Sequence, residues 1–281
     1  MAKILIIGCG DIGAELGKQL VTQGHRVSGW KRTPPTESSS FEICKVDVTQ
    51  PECIKRQELD FDQVVYILAP DRGDISTYEA VFAIGVDYVL DAFSLRNSSA
   101  SFIFVSSTRV YGQHKGEWLD EEAVTEPADE RGKILLAAET KFLSFNERST
   151  VVRFSGIYGR SNYFINQLKA GCEIQKKPPY FTNRIHRDDC VGVLSFLINK
   201  KINAANLQAV YLATDHDPAP KWDVANYLAT ELGLPAPVPL TLTTEADCNK
   251  RLDNDRLTSA GYRFKFKSYK DGYAEVLNEP D

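Results

Sequence analysis

Three things are scarce in this chain of 281 residues: paired cysteines, an excess of basic charge, and long apolar runs. The six cysteines, Cys9, Cys44, Cys53, Cys172, Cys190 and Cys248, are scattered. No two form Cys-x-x-Cys and no histidine stands nearby at zinc-ligand spacing, so neither a metal site nor a disulfide framework is expected, and the thiols are read as reduced. The formal net charge of −5 offers no basic surface for nucleic acid or membrane. The opening apolar run "KILIIG" stops at Gly8, too short for a membrane span or a cleavable signal, which points to the cytoplasm.

What is present is an alternation of two periods. Strand-like runs "KILIIG", "HRVSGW", "FEICKVDV", "QVVYILA", "SFIFVSS" and "STVVRFSGIYG" are separated by helical patterns, among them "STYEAVFAIGVDYVLDAFSL" and "DERGKILLAAET". Apolar strands joined through helices predict an α/β fold, a Rossmann-type doubly wound parallel sheet covered on both faces. Past Gly159 the rhythm loosens into amphipathic helices and Pro-rich connections. The expected organisation is a dinucleotide-binding domain over 1–159, with 183–215 rejoining it through the strand "AVYLAT". A smaller C-terminal substrate lobe is expected from 160–182 and 216–281.

The most informative motif follows the first strand. "IIGCGDIGAELG" places Gly8, Gly10 and Gly13 in G-x-G-x-x-G between a strand and a helix, with Asp11 and Ile12 inside the loop. The glycines suit a tight turn, backbone approach to a pyrophosphate and close helix packing, while the helix N-terminus favours anionic phosphates. Cys9 reads as a small apolar filler. At the end of the second strand an acidic residue would accept the adenosine ribose hydroxyls; instead the chain reads "GWKR", with no carboxylate before Glu37. Lys31 and Arg32 therefore favour NADP over NAD by attracting a 2′-phosphate, unless they are solvated surface charges. Asp47, ending the third strand, either contacts adenine or caps the following turn.

The fifth strand ends in hydroxyls, "SFIFVSSTRVYG", where an open parallel sheet presents ligands. Together with the glycine loop, this segment resembles the extended short-chain dehydrogenase/reductase family of nucleotide-sugar epimerases and dehydratases. "VVRFSGIYG", "NRIHRDDCVGVL" and "NKRLDNDRLTSAGYRFKF" resemble later elements of that family in the same order. The resemblance implies that Ser107 hydrogen-bonds the reacting oxygen. It also implies a Tyr-x-x-x-Lys pair on the next helix, but anchored on "LAAE" at Glu139 those positions fall on Arg131 and Leu135. A guanidinium stays protonated and cannot serve as a base. Lys133 lies roughly 200° around the helix from Arg131 and cannot repair the pair. The family's asparagine on the preceding helix is replaced by Phe82.

A literal Tyr-x-x-x-Lys occurs at "YGQHK", Tyr111 to Lys115, in an expected loop that contains Gly112; Tyr111 is either a substitute proton relay or a packed strand end. Arg131 either binds a substrate anion beside Ser107 or seals a retired site. Arg153 and Tyr158 either line the cleft or pack. Asp188 and Asp189 read as helix caps, with Asn183, Arg184 or His186 as alternative substrate contacts. Lys250, Arg251 and Arg256 suit a phosphorylated or carboxylated ligand or else form a solvated run. Two functions remain open. One is an NAD(P)-dependent oxidoreductase or epimerase-like enzyme acting on a small polar, sugar-derived substrate, with Ser107, Tyr111 and Arg131 at its centre. The other is a non-catalytic NADP sensor or regulatory protein. By family analogy a homodimer through the long sheet-flanking helices is expected.

Overall fold

The computed structural model describes residues 1–36, 38–96, 98–240, 242 and 247–278. Through its first half the chain runs β1 (Lys3–Ile7), α1 (Asp11–Thr22), β2 (Arg26–Lys31), β3 (Glu42–Lys45), α2 (Pro51–Lys55), β4 (Gln63–Tyr66), α3 (Ile75–Glu79), α4 (Gly85–Leu95), β5 (Ser101–Ser107), β6 (Lys115–Leu119) and α5 (Glu130–Phe145). It continues through β7 (Thr150–Phe154), β8 (Gly156–Tyr158), α6 (Tyr163–Lys169), β9 (Glu173–Ile174), β10 (Arg184–His186), α7 (Arg187–Ile202), β11 (Val210–Ala213) and α8 (Lys221–Glu231). Last come β12 (Val238–Pro239), β13 (Asn249–Leu252), α9 (Asp255–Ser259) and α10 (Tyr269–Asn278).

Seven strands form one sheet in the order β11-β7-β5-β4-β1-β2-β3. The pairings of β1 with β2 and β4, of β2 with β3, and of β4 with β5 are parallel. Parallel strands covered on both faces need continuous apolar runs, and Ile4 to Ile7 and Val64 to Tyr66 are accordingly fully buried. The strand order reverses between β1 and β4, so the loops after these strands flank the point where such sheets bind ligands. "AVYLAT" supplies β11, at the edge of this sheet.

The chain divides into two compact units. The first comprises Met1–Tyr111, Thr125–Arg153 and Val191–Tyr211. Its α1 buries Gly13, Leu16, Gly17 and Leu20, the i, i+3, i+4, i+7 stripe of an amphipathic helix. Between sheet and helices the rings of Phe104 and Phe142 stack at 4.7 Å, with Tyr66 at 5.4 Å from Phe142. Each buried ring of this kind contributes about 1.5–3 kcal/mol.

The single helix expected over "STYEAVFAIGVDYVLDAFSL" is interrupted: α3 and α4 are joined by a π-helical turn, Ala80–Ile84. Tyr66, at the end of β4, explains it. Its buried hydroxyl donates to the Val81 carbonyl at 2.6 Å, so the turn gains a hydrogen bond from outside the helix.

The second unit comprises Gly112–Val124, Phe154–Cys190 and the described residues from Leu212 onward. Its helices α6, α8 and α10 share an apolar cluster of Ile165, Val224, Leu228, Tyr269 and Tyr273. Three short parallel pairs, β8 with β10, β9 with β12 and β6 with β13, complete it.

Candidate functional site

The glycine loop leaves β1 and enters α1 within three residues. Gly8 has φ +113°, and a Cβ there would lie 2.0 Å from the Ile67 carbonyl oxygen. Gly13 is packed as closely, its hypothetical Cβ 2.2 Å from the Gly8 oxygen, while a Cβ on Gly10 would meet nothing within 4 Å. Two glycines are thus demanded by the protein itself, while the middle one borders open space. Gly10 is also the N-cap of α1 and makes no side-chain capping bond. Asp11 and Ile12, half-buried, open the helix. A backbone that admits a close neighbour, ahead of an uncapped twelve-residue helix, fits a dinucleotide pyrophosphate. Cys9 is 1% exposed. Burial pushes its thiol up to about 12, which suits a filler rather than a reactive group.

Amides of Gly8 and Cys9 donate to the Trp30 carbonyl at 3.0 and 3.3 Å, tying the loop to the end of β2 and so to Lys31 and Arg32. These two cations differ. Arg32 Nη2 sits 2.5 Å from Asp71 Oδ2, on the segment after β4. Lys31 has no carboxylate within ion-pair distance among the described residues. Asp47 Oδ1 accepts from Thr49 N at 3.0 Å and Thr49 Oγ1 at 2.7 Å, so this oxygen caps its own turn. Glu37 lies outside the described residues.

Ser107 closes β5 and caps the short 3-10 turn Thr108–Val110, its Oγ accepting from Arg109 N at 3.2 Å. Its own hydroxyl proton donates to no described residue and remains available to an external acceptor. The adjacent Ser106 points inward and donates to Glu139 Oε1 at 2.6 Å. Glu139 in turn holds Arg153, through Nε at 3.0 Å and Nη2 at 2.7 Å, and Arg153 Nη1 donates to the Tyr111 phenol oxygen at 2.6 Å. Tyr111 is 2% exposed, so its oxygen lies in this buried network beneath the strand end. Tyr111 and Lys115 share no helical face: Tyr111 follows the 3-10 turn and Lys115 begins β6.

The first turn of helix α5 packs against this 3-10 turn. Its N-cap Asp129 accepts from Gly132 N at 2.9 Å and also grips Arg109, through Nε at 2.9 Å and through Nη2. Those bonds, the Arg109 contact foremost, hold the Asp129 carboxyl below the usual carboxylate range. Arg131, in the first turn, donates through Nη1 to the Gly73 carbonyl at 2.9 Å and lies 5.9 Å from the Tyr78 ring centroid. Leu135, one turn on, is 3% exposed. Lys133 pairs with Glu130 at 3.2 Å on the solvent side.

Within the second unit, Tyr158 packs against His186 at 5.3 Å and Tyr273 at 4.8 Å. Asp189 does not cap α7; its carboxylate accepts from the Tyr262 hydroxyl and the Lys265 and Phe266 amides, anchoring the segment ahead of α10. The helix begins at Arg187, which puts Asp188 and Asp189 inside its first turn. Asn183 bridges to β13 through the Lys250 carbonyl and the Leu252 amide. Arg251 lies between Trp118 and Phe181, and Arg256 pairs with Glu121 and Glu122. Asp215 is 2% exposed, and its Oδ2 has no hydrogen-bond partner among the described residues.

Sequence reasoning did not single out Asp71, Tyr78, Asp129 or the role of Glu139. Asp129 was legible as a capping residue before a helical run, and Glu139 as a charge on the Leu135 face. Nothing in the spacing connects Asp71 to Arg32 or Tyr78 to Arg131. Among the described residues no helix is long and apolar enough to cross a membrane, and no His, Cys, Asp or Glu group is placed to hold a metal ion.

Over residues 2–279 the chain matches the family described as RmlD substrate binding domain. A structure from Methylobacillus flagellatus, provisionally described as an NAD-dependent epimerase/dehydratase, superposes with a TM-score of 0.84 at 34% identity, over 98% of this chain and 97% of that one. dTDP-glucose 4,6-dehydratase from Bacillus anthracis, in complex with NAD, gives a TM-score of 0.79 over 99% and 96% at 16% identity, a likeness of fold alone. Uncharacterized protein y4nG of Sinorhizobium fredii is 27% identical over 135 residues, 47% of this chain, and the match spans 34% of that relative's length.

Proposed function

Because the chain belongs to the RmlD substrate binding domain family, we propose that it is an NAD(P)-dependent oxidoreductase of the epimerase/dehydratase kind, acting on a small polar, sugar-derived substrate. The observation that carries this is the meeting of two features in the first unit. An uncapped, open glycine loop follows β1, and a serine with an unspent proton ends β5. When bound, the nicotinamide dinucleotide supplies or accepts the hydride.

Gly10 and the first turn of α1 hold the pyrophosphate, with Gly8 and Gly13 setting the loop's shape. Ser107 donates to the reacting carbonyl or alkoxide oxygen, and the Arg109 amide fixes the direction of that hydroxyl. Tyr111 acts as a positioning residue, because its phenol is committed to Arg153 and lies 2% exposed. Arg131 and Leu135 stand where the resemblance places the tyrosine and lysine. The proton relay of this protein therefore runs through a substrate hydroxyl or solvent held by Ser107. Lys31 favours NADP, with Arg32 shared between a 2′-phosphate and Asp71.

Calorimetric titration with the four nicotinamide dinucleotides, followed by nicotinamide absorbance against nucleotide sugars and small ketones, tests the assignment. Binding with substrate-dependent absorbance change that Ser107→Ala removes is the expected result. Binding with no absorbance change for any substrate would favour the sensor, a function that the loss of a titratable pair on α5 also suits. No dinucleotide binding would overturn both.

A further inference from the structure

Two buried residues of opposite charge lie side by side in the second unit without meeting. Asp215 follows β11 and Arg184 opens β10, and they are 2% and 8% exposed. Their backbones are joined, the Asp215 amide donating to the Arg184 carbonyl at 2.7 Å. No cation, however, lies within ion-pair distance of the Asp215 carboxyl among the described residues. Its Oδ1 accepts from the Asp217 amide at 3.0 Å, and its Oδ2 has no partner among them. The Arg184 guanidinium is directed elsewhere. Through Nη1 it donates to Thr182 Oγ1 and, at 3.4 Å, to the Thr182 carbonyl, and it reaches the Tyr273 phenol of α10 as a donor.

This arrangement suits a neutral carboxyl, because a buried anion loses far more than a neutral acid does by leaving an oxygen bare. The groups that act on Asp215 are Arg184 from β10, Asp189 from α7, Tyr158 from β8 and Asp217 on its own turn. Burial and the two carboxylates oppose its ionisation, and Arg184 is the cation that favours it. Asp189 is committed to the Tyr262 hydroxyl and to the Lys265 and Phe266 amides. Asp217 faces Lys270 and Asp271 of α10 and Asp223 of α8. Burial holds the Tyr158 and Tyr273 phenols above their ordinary range, so both stay protonated near neutrality. Tyr273 ties α10 inward: its ring lies 4.8 Å from that of Tyr158, and it belongs to the apolar cluster shared with α6 and α8.

We propose that Arg184 and Asp215 form a proton-gated ion pair, in which loss of the carboxyl proton draws the guanidinium away from Tyr273 onto Oδ2 and loosens α10. The proton passes to solvent, its electron pair stays on the carboxylate, and Arg184 remains charged throughout. While the proton is held, Arg184 keeps its bonds to Thr182 and Tyr273. The gate is independent of the oxidoreductase assignment, since neither dinucleotide nor substrate takes part in it.

The test uses full-length protein carrying carboxyl-labelled aspartate, followed by carbon NMR from about pH 5 to about pH 9. Hydrogen exchange of the α10 amides is read in parallel by mass spectrometry and corrected for the intrinsic rate at each pH. The resonance that Asp215→Asn removes should titrate above about pH 6, and exchange in α10 should rise about tenfold with the same midpoint. Asp215→Asn, the neutral mimic, should keep slow exchange at every pH. Tyr273→Phe keeps the ring without the hydroxyl and should exchange at the faster rate throughout, which decides the matter even if Asp215→Asn does not fold. An Asp215 titration in the ordinary carboxylate range or none at all, exchange that does not follow that titration, or a pH step retained in either variant would overturn the proposal.

Discussion

Arg153 and Glu139 form an ion pair at 2.7 Å with side chains only 6% and 2% exposed, directly beneath the strand that ends in Ser107. Arg153 links Glu139 to the Tyr111 phenol, and Ser106 completes the run, so four polar residues are joined by hydrogen bonds in a buried site. Such a network orders the end of β5 without itself presenting a reactive group.

Removing one partner leaves the other charged and buried. Glu139→Gln or Arg153→Met is expected to cost about 3–5 kcal/mol in urea unfolding, and the double variant should recover part of that loss. If the single variants unfold like the parent protein, the pair contributes nothing to the strand end.

The three glycines should separate by function. Gly8→Ala forces a Cβ against the Ile67 carbonyl at positive φ and should lower the thermal midpoint. Gly10→Ala meets open space, so it should leave stability near parental while weakening dinucleotide affinity about tenfold. Unchanged affinity in Gly10→Ala would move the pyrophosphate elsewhere.

Cofactor choice should respond to Asp71 as well as to the cations. Asp71→Asn frees Arg32 and should tighten NADP binding several-fold with little effect on NAD, whereas Lys31→Ala should weaken NADP about tenfold. Calorimetry with both cofactors reads the difference, and parallel changes for NAD and NADP would discount the charge argument.

Burial pushes the Asp215 carboxyl from 3.8 to about 8, against the opposing pull of Arg184. The folded protein then binds a proton that the unfolded chain has released, so stability should fall as pH rises from about 4 to about 8 and level off above it. Asp215→Asn, which is neutral throughout, should flatten that slope in unfolding measured across the range. A slope that persists in Asp215→Asn belongs to another group.

Much of the first unit was legible from local pattern. "KILIIG" reads as a buried parallel strand, and it is β1; "IIGCGDIG" reads as a strand-to-helix loop, and Gly10 stands at the N-terminal boundary of α1. Those features depend on residues adjacent in the chain, whose types carry the conformation. "STYEAVFAIGVDYVL" shows where local pattern stops. Its helical period is real, but the π turn within it depends on Tyr66, fifteen residues before Val81 in sequence and one hydrogen bond away in space.

The same division holds at the candidate site. By itself the chain determined the strand and helix periods, the glycine spacing and the hydroxyl at the end of β5. Only the tertiary structure decided which charges are spent. Arg32 meets Asp71 39 residues away, and Arg109 meets Asp129 20 residues away, while Arg131 lies beside Tyr78 with no carboxylate within ion-pair distance among the described residues. An ion pair depends on distance through space at a few ångströms, and a sequence specifies which charges exist while the packed sheet and helices specify which of them meet.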